Sequence, residues 1–302
     1  MKVLIIGLGS IAKKHIAAMR NISDDFEIYA LRSSQNSRHV YGVVDLYSWH
    51  EVISIPLDFV VISNPTAEHK HALDMIVDLG IPLFIEKPLY HNLDIKNIVD
   101  MISSKGILTY VACNLRFLPC IQFIKQYLAN NTIRVNEVNA YCGSYLPNWR
   151  PGEDFHDIYS AKPELGGGVH LDLIHEIDYV YWLFEKPIKV NKVFSNKSSL
   201  NITAVDYANY CLEYEKFNAN IVLNYFRKDS KRTLEIVSEQ GTFDINLLTD
   251  TIILNGKEVF RSNEHIIDTY PKQMAYFISC MKEKQNSFNT IQEAYNVLQI
   301  CL

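Results

Sequence analysis

The stretch that decides the fold is an apolar run followed at once by a glycine turn, Val3-Leu4-Ile5-Ile6-Gly7-Leu8-Gly9-Ser10-Ile11-Ala12. An uninterrupted apolar run is typical of a parallel strand that is buried on both faces. Apolar residues at helical spacing follow, so the glycines lie between a strand and a helix. In that context the match of residues 7–12 to G-x-G-x-x-G/A is informative.

The glycine turn predicts a dinucleotide-binding site. Gly7 would permit the tight turn, and Gly9 would let the backbone approach a pyrophosphate. Ala12 would keep the helix close to the strand. Backbone N–H groups at the start of the helix, around Ser10 and Ile11, would bind the phosphates. An ordinary strand–helix turn is the alternative interpretation.

Strands and helices alternate through the first third of the chain. Further strands are predicted over residues 27–31, 58–63, 82–85 and 108–112. A helix is predicted over residues 67–79, and Gly80 ends it. This alternation is typical of a doubly wound parallel sheet, so we expect a Rossmann dinucleotide-binding domain over residues 1–118.

The pattern changes in the remaining residues, 119–302, to period-2 alternation with few helices. Strands are predicted over residues 138–145, 204–214, 219–226 and 233–237. Helices are predicted over residues 120–128, 169–184, 273–284 and 291–302. We therefore expect an α+β domain with an open, mainly antiparallel sheet that serves substrate binding and dimerisation.

Composition narrows the function classes. The 302 residues carry a formal net charge of −5, so no basic excess favours nucleic-acid binding. No apolar run approaches the ~18 residues of a membrane span, and the first one is too short for a signal peptide. The six cysteines include no C-x-x-C pair, which favours buried thiols over a metal or redox site. We expect a soluble, cytoplasmic protein.

The residues after the second predicted strand bear on the choice of cofactor. NAD sites usually carry an acidic residue about 20 positions past the glycine motif. Arg32-Ser33-Ser34 occupy that place here. A guanidinium suits a 2′-phosphate in charge and geometry, and the two hydroxyls add donors. The sequence therefore favours NADP, with NAD bound through backbone contacts as the alternative.

Polar segments follow two neighbouring strands of the predicted sheet. Asn64-Pro65-Thr66, with His69 close behind, follows one strand, and Glu86-Lys87-Pro88 follows the next. Ligands of open α/β sheets bind beyond the carboxyl ends of the strands. Position alone therefore places these two segments in the predicted ligand crevice.

These segments, together with three others, resemble the Gfo/Idh/MocA family of nicotinamide-dependent oxidoreductases over nearly the whole chain. The motifs that carry the resemblance are Gly7-x-Gly9-x-x-Ala12, Asn64-Pro65-Thr66 with His69, Glu86-Lys87-Pro88, Asn114-x-Arg116-Phe117-x-Pro119 and residues 166–178. The resemblance implies a hydride transfer between a nicotinamide cofactor and a sugar, nucleotide sugar or sugar acid. Residues 145–161 look like a subgroup associated with surface-polysaccharide metabolism.

The resemblance also implies roles for individual residues. Lys87 would be the active-site lysine, hydrogen-bonded to the reacting oxygen; a structural lysine is the alternative. Residues expected to line the cofactor are Asn64, Pro65, Thr66, His69, Glu86, Lys87 and Asn114.

The acid/base residue is left open between two neighbours. The family usually has D-x-x-x-H, whereas Asp172 is followed by His175 and Glu176. On a continuous helix both residues share a face with Asp172. Hydride transfer at a carbinol needs a proton acceptor, and an imidazole titrates near neutral pH. This favours His175, with Asp172 orienting it or binding a sugar hydroxyl and Glu176 as the alternative. No metal is expected.

A long loop precedes the glycine run and suits a sugar. Trp149 could stack on a sugar ring, and Arg150 could bind a carboxylate or phosphate. Arg116 is a further substrate-binding candidate from the family motif. Arg227 and Arg232 bracket a polar turn, for which a solvated position is favoured.

Two other functions remain open at this point. One is a non-catalytic dinucleotide-binding sensor or regulator on the same fold, supported by the altered Asp172–Glu176 spacing. The other is a reductase of a non-sugar substrate. We also expect a homodimer or higher homo-oligomer through the second-domain sheet, since Tyr207, Tyr210, Cys211 and Tyr214 place apolar side chains on both faces of one strand.

Overall fold

A computed structural model describes all 302 residues of the chain and divides them into two compact units. The first unit comprises Met1–Cys113 and Tyr270–Gln299. The second comprises Asn114–Thr269 and Ile300–Leu302. The sequence-based boundary after residue 118 differs from this division mainly in the C-terminal helices, which pack with the first unit.

The first unit is built on a six-stranded parallel sheet. Its strands are β1 (Lys2–Ile6), β2 (Glu27–Leu31), β3 (Val43–Leu46), β4 (Phe59–Ile62), β5 (Leu83–Ile85) and β6 (Thr109–Val111). Their order, β3-β2-β1-β4-β5-β6, confirms the doubly wound topology. The strand order changes direction between β1 and β4, so the carboxyl ends of these two strands border the ligand crevice expected of such sheets.

Helices connect these strands. They are α1 (Ser10–Ile22), α2 (Trp49–Ile53), α3 (His69–Ile76) and α4 (Lys96–Ser104). Short 3₁₀ turns extend α3 at both ends, and Gly80 ends this segment in the left-handed region at φ 65°, as the glycine predicted.

The second unit is built on an eight-stranded sheet. Its strands are β7 (Val135–Tyr145), β8 (Lys189–Ser195), β9 (Tyr207–Glu213), β10 (Asn218–Asn224), β11 (Phe226–Ser238), β12 (Gly241–Asn246), β13 (Thr251–Leu254) and β14 (Lys257–Arg261). The order is β14-β13-β12-β11-β7-β10-β9-β8. Every neighbouring pair is antiparallel except β7 and β10, which confirms the mainly antiparallel sheet.

The helices of the second unit are α5 (Pro119–Asn130), α6 (Val169–Asp172) and α7 (His175–Phe184). The predicted continuous helix over residues 169–184 is wrong. At Leu173 the backbone turns to φ −102° and ψ 29°, and this ends α6 before α7 begins. Because both pieces carry apolar residues at helical spacing, periodicity alone could not locate the break.

The last two helices, α8 (Thr269–Glu283) and α9 (Ile291–Cys301), follow the second sheet in the chain. The ring of Phe277 packs edge-on against Phe59 and Phe84 of the parallel sheet, with centroids 5.4 and 5.6 Å apart. The backbone N–H of Ile291 donates to the Thr109 hydroxyl at 2.9 Å. Through these contacts the C-terminal helices pack on the parallel sheet and complete the core of the first unit.

The central strands of the eight-stranded sheet have one buried face and one half-buried face. Along β9, Ala208, Tyr210 and Leu212 are buried, whereas Tyr207 and Cys211 on the other face are of intermediate exposure. This agrees with the predicted alternation. The half-buried face carries a cavity of about 490 Å³, lined among others by Tyr141, Val222 and Thr233. Among the helices, none is long and apolar enough to cross a membrane.

Candidate active site

The predicted dinucleotide turn is shaped by two glycines with different surroundings. Gly7 has φ 89°, and a Cβ there would come within 2.3 Å of the Asn64 Cα, so only glycine fits. A Cβ on Gly9 would meet no heavy atom within 4 Å, so the backbone at Gly9 is open to a ligand. Gly7 therefore holds the ends of β1 and β4 together, and Gly9 faces outward.

The start of α1 has the properties of an anion site. Gly9 is its N-cap, no side chain caps it, and its first turn contains no acidic residue. Ser10 is exposed and Ile11 half-buried, while Ala12 is fully buried against the sheet. Uncapped N–H groups and the positive end of the helix dipole suit a phosphate. The residues present therefore fit the pyrophosphate of a dinucleotide.

His69 links the two segments that follow β4 and β5. Its Nδ1 lies 3.1 Å from the Leu89 carbonyl oxygen, and its Nε2 lies 3.1 Å from that of Asn64. The ring is buried, and this burial lowers the pKa of His69. The imidazole therefore connects the Asn64-Pro65-Thr66 segment to the segment that follows β5.

Glu86 has a partner that sequence reasoning missed. Its Oε1 lies 2.5 Å from Nε2 of His15, a fully buried residue of α1 whose ring also packs against Phe84 at 4.8 Å. The periodicity of α1 marked His15 only as a core position. The sequence alone could not identify Glu86 as the partner of His15, because the two residues are 71 positions apart. The pair joins α1 to the segment that carries Lys87 immediately after β5.

Arg32 also has a carboxylate partner. Its Nη1 donates to Asp45 on β3 at 2.8 Å, and its Nη2 donates to the Arg38 carbonyl at 3.2 Å. Ser33 and Ser34 beside it are exposed. The sequence placed no acidic residue at this point because Asp45 lies far along the chain. Strand pairing between β2 and β3 brings it alongside.

In the second unit, Asp172 receives two tyrosine hydroxyls. Tyr159 donates to Oδ1 at 2.7 Å, and Tyr225 donates to Oδ2 at 2.5 Å. Asp172 is the last residue of α6, and His175 is the first residue of α7. The expectation that they share one helix face is therefore wrong, because the helix is interrupted between them. His175 is buried, with its Nδ1 turned away from solvent.

Glu176 forms a buried, bidentate ion pair. Arg232 on β11 donates from Nε to Oε1 at 2.6 Å and from Nη2 to Oε2 at 3.0 Å. The favoured solvated position for Arg232 is wrong, because its side chain is largely buried in an ion pair with Glu176. These two charge-assisted hydrogen bonds engage both carboxylate oxygens of Glu176.

Two other predicted binding residues have buried partners. Arg116 donates from Nε and Nη2 to both oxygens of Asp178, at 2.9 and 2.7 Å, and is fully buried. Its guanidinium also lies over the Trp182 ring. Asn114 donates to the Thr269 hydroxyl at 2.7 Å and is buried too. Both side chains stabilise the second unit in this structure.

The loop before the glycine run reaches the Asp172 cluster. Trp149 packs edge-on against Tyr225 at 5.3 Å, and its indole N–H donates to Ser144. The Arg150 guanidinium lies 5.8 Å from the Tyr159 ring centroid. The loop therefore places one indole and one guanidinium against the two tyrosines that hold Asp172. No cluster of three or more His, Cys, Asp or Glu is arranged to hold a metal ion.

Comparison with known families covers both units. A model of the GFO/IDH/MocA oxidoreductase family, described as an NAD-binding Rossmann fold, matches residues 1–113. The C-terminal domain model of the same family matches residues 121–244. The chain belongs to the Gfo/Idh/MocA family. The match confirms the resemblance drawn from the motifs.

Two curated relatives of this Gfo/Idh/MocA chain are sugar dehydrogenases. A D-apiose dehydrogenase from Paraburkholderia graminis is 25% identical over 239 residues, which are 73% of this chain and 59% of the relative. A levoglucosan dehydrogenase from Pseudarthrobacter phenanthrenivorans is 28% identical over 152 residues, which are 49% of this chain and 38% of the relative. The chain thus matches less than two thirds of either relative's length.

Solved structures share the fold over the whole chain. A levoglucosan dehydrogenase in complex with NADH and levoglucosan has a TM-score of 0.85 at 17% identity, covering 100% of this chain and 95% of its own. The WlbA dehydrogenase from Bordetella pertussis, with NADH and UDP-GlcNAcA, has a TM-score of 0.85 at 18% identity, covering 99% and 92%. At these identities the likeness establishes the family fold.

Proposed function

We propose that this Gfo/Idh/MocA protein is an NAD(P)-dependent oxidoreductase that acts on a hydroxyl or carbonyl of a sugar, nucleotide sugar or sugar acid. The observation that carries the proposal is the open turn at Gly9, behind which α1 begins uncapped and without an acidic residue. The curated relatives, which are dehydrogenases of D-apiose and levoglucosan, support a sugar substrate. A role in surface-polysaccharide metabolism is the narrower form of this proposal.

The nicotinamide cofactor supplies or accepts the hydride when it is bound. Gly7, Gly9, Ser10 and Ile11 would hold its pyrophosphate through backbone N–H groups. We propose a preference for NADP, because Arg32 has five N–H donors and the contacts to Asp45 and Arg38 use two of them.

Lys87 would orient the substrate. We propose that its ammonium donates a hydrogen bond to the reacting oxygen and stabilises negative charge that develops there. Its position immediately after β5, among the carboxyl ends of the parallel strands, supports this role. The buried pair of His15 and Glu86 fixes the preceding residue.

His175 would move the proton. We propose that its imidazole accepts the hydroxyl proton in oxidation and returns it in reduction, because an imidazole titrates near neutral pH and is the commonest general base in proteins. Asp172, held by Tyr159 and Tyr225, would bind a neighbouring sugar hydroxyl. Glu176 is not assigned this proton transfer, since Arg232 holds its carboxylate as a charged ion pair.

Trp149 and Arg150 are the proposed sugar contacts of the loop. Their placement against Tyr225 and Tyr159 supports this assignment, because an aromatic ring can cover a sugar face and a guanidinium can donate to its oxygens. We also propose that the protein forms a homodimer through the half-buried face of the eight-stranded sheet.

The test is a turnover screen with a matched variant. Purified protein is incubated with NAD⁺ or NADP⁺ and a panel of levoglucosan, D-apiose, hexoses, uronic acids and UDP-sugars, and absorbance of the reduced cofactor is followed at alkaline pH. The Lys87→Ala variant should lose about 10²-fold or more in kcat, because it lacks the donor to the reacting oxygen. Its cofactor Kd, from fluorescence titration, should stay within several-fold.

Two results would count against this function. Unchanged turnover in Lys87→Ala would remove Lys87 from the mechanism. Cofactor binding without turnover of any panel member would favour a dinucleotide-binding sensor or a reductase of a non-sugar substrate.

A further inference from the structure

The two tyrosines that bind Asp172 differ in their access to solvent. Tyr225 is fully buried, whereas Tyr159 is 38% exposed. The hydroxyl of Tyr225 donates to Oδ2 and that of Tyr159 donates to Oδ1. The carboxylate of Asp172 therefore has an inner oxygen fixed from the core and an outer oxygen fixed by a residue at the surface.

The glycine run explains why Tyr159 reaches Asp172. A Cβ on Gly167 would lie 2.1 Å from the Tyr159 carbonyl oxygen and 2.7 Å from that of Lys162. The Gly167 N–H also donates to the Lys162 carbonyl at 3.0 Å. The turn Tyr159–Ala161 thus packs directly on the glycine backbone just before α6. Without a side chain at Gly167, the loop approaches α6 closely enough for the phenol to meet Asp172.

The phenol of Tyr159 is suited to hold a proton and unsuited to transfer one. Partial desolvation of its hydroxyl, together with the negative charge of Asp172, raises the pKa of Tyr159 well above its usual range. The hydroxyl therefore remains a donor at physiological pH. Each carboxylate oxygen has two lone-pair directions. The hydroxyl of Tyr159 occupies one on Oδ1 and so fixes the direction of the other.

We propose that Tyr159 is a positioning residue that aims the outer oxygen of Asp172 at a substrate hydroxyl. Tyr225 anchors the same carboxylate from within the core and does not set this direction. The proposal rests on the proposed function only in that Asp172 binds the sugar. It assigns a functional role to a loop residue whose backbone packs on Gly167.

The experiment compares two variants that each remove one hydroxyl, Tyr159→Phe and Tyr225→Phe. With the panel sugar that is turned over fastest, Tyr159→Phe should raise KM about five- to tenfold, as expected for one lost hydrogen bond. Its melting temperature and its NADH Kd should match the wild type, because water can replace a hydroxyl at the surface. Tyr225→Phe should lower the melting temperature, since it removes a fully buried hydrogen bond to the Asp172 carboxylate.

The two proposals fail in different ways. If wild type turns over a sugar and Tyr159→Phe lowers the melting temperature as Tyr225→Phe does without raising KM, the role of Tyr159 is structural and this inference is overturned. If no panel member is turned over, saturation-transfer NMR with the same sugars decides. If Tyr159→Phe binds the sugar more weakly than the wild type, the positioning role is supported even though the proposed activity is not. If the variant binds equally well, or if neither protein binds a sugar, the positioning role is overturned.

Discussion

Glu176 and Asp178 both lie on α7, and each carboxylate is bound at two points by one arginine. Arg232 holds Glu176, and Arg116 holds Asp178. Removing one member of such a pair leaves a buried charge and typically costs about 3–5 kcal/mol. Residues that resembled ligand contacts in the sequence thus fix the backbone around His175, and the proposed site keeps its geometry through them.

The Arg32–Asp45 pair yields a prediction about the cofactor. In Arg32→Ala, the Kd for NADPH should rise about 10-fold or more, since a charge-assisted hydrogen bond is worth about 1.5–3 kcal/mol. The Kd for NADH should change little. In Asp45→Asn, where the guanidinium loses its carboxylate, NADPH should bind more tightly. Fluorescence titration of both cofactors measures all three proteins.

The outcome that contradicts this prediction is equally specific. Arg32 would be a structural residue if the wild type bound NADH more tightly than NADPH and if Arg32→Ala weakened the binding of both cofactors equally. The pairing of β2 with β3 would then account for the contact between Arg32 and Asp45 as packing at the edge of the sheet.

Residue chemistry in this chain was predictable where it depends on local spacing. The glycine turn and the Lys87 segment were singled out because each follows a buried apolar run, and Asp172 because it matches the family motif; their roles stay predictions. The partners of Arg32, Glu86 and Glu176 were not, since those contacts span 13, 71 and 56 residues. Such contacts depend on strand order and register, which a single sequence does not encode locally.

At the scale of the element, two glycines should respond in opposite ways to the same substitution. Gly9→Ala should fold with an unchanged melting temperature, because its φ of −88° suits alanine and the added methyl meets nothing. It should weaken NADH binding at least tenfold, since the methyl would occupy the face of the turn where a pyrophosphate approaches.

Gly167→Ala should do the reverse. Its methyl would meet backbone oxygens, so the Tyr159–Ala161 turn must move. We expect the free energy of unfolding to fall by about 1–3 kcal/mol, as is typical of overpacked cores, while the affinity for NADH is retained. Thermal denaturation and fluorescence titration of the two variants side by side are the measurements. Equal effects of both substitutions on stability would refute the assignment of Gly9 as the open position.

Element prediction failed at one informative place. Residues 169–184 have the apolar spacing of a single helix, yet the helix is interrupted at Leu173. The break coincides with the two hydroxyls that bind Asp172. Periodicity reports which side of a helix is buried, and it carries no information on tertiary hydrogen bonds to the residue at which a helix ends.

At the scale of the molecule, the sequence predicted two sheets of different type because buried parallel strands and half-buried antiparallel strands leave different apolar patterns. It placed the C-terminal helices in the domain of residues 119–302, whereas Tyr270–Gln299 group with the first unit. An amphipathic helix shows that it packs on something, and only the contacts of Phe277 with Phe59 and Phe84 identify the parallel sheet as the partner.

The half-buried sheet face leads to a prediction about assembly. Its central cavity of about 490 Å³ has Tyr141, Val222 and Ile253 among its lining, with polar side chains around them. Partly exposed apolar side chains within a polar rim are typical of protein interfaces. We therefore expect light scattering at micromolar concentration to report twice the chain mass of 34.8 kDa.

A charge placed in that face should separate the copies. Val222→Lys would bring two ammonium groups into a symmetric interface, because a twofold contact presents the same residue from each side. This variant should elute at the monomer mass. Ile53→Lys, at an exposed position of the first unit, is the control and should remain dimeric. A wild-type monomer, or a Val222→Lys dimer as stable as the control, would show that this face is not the interface.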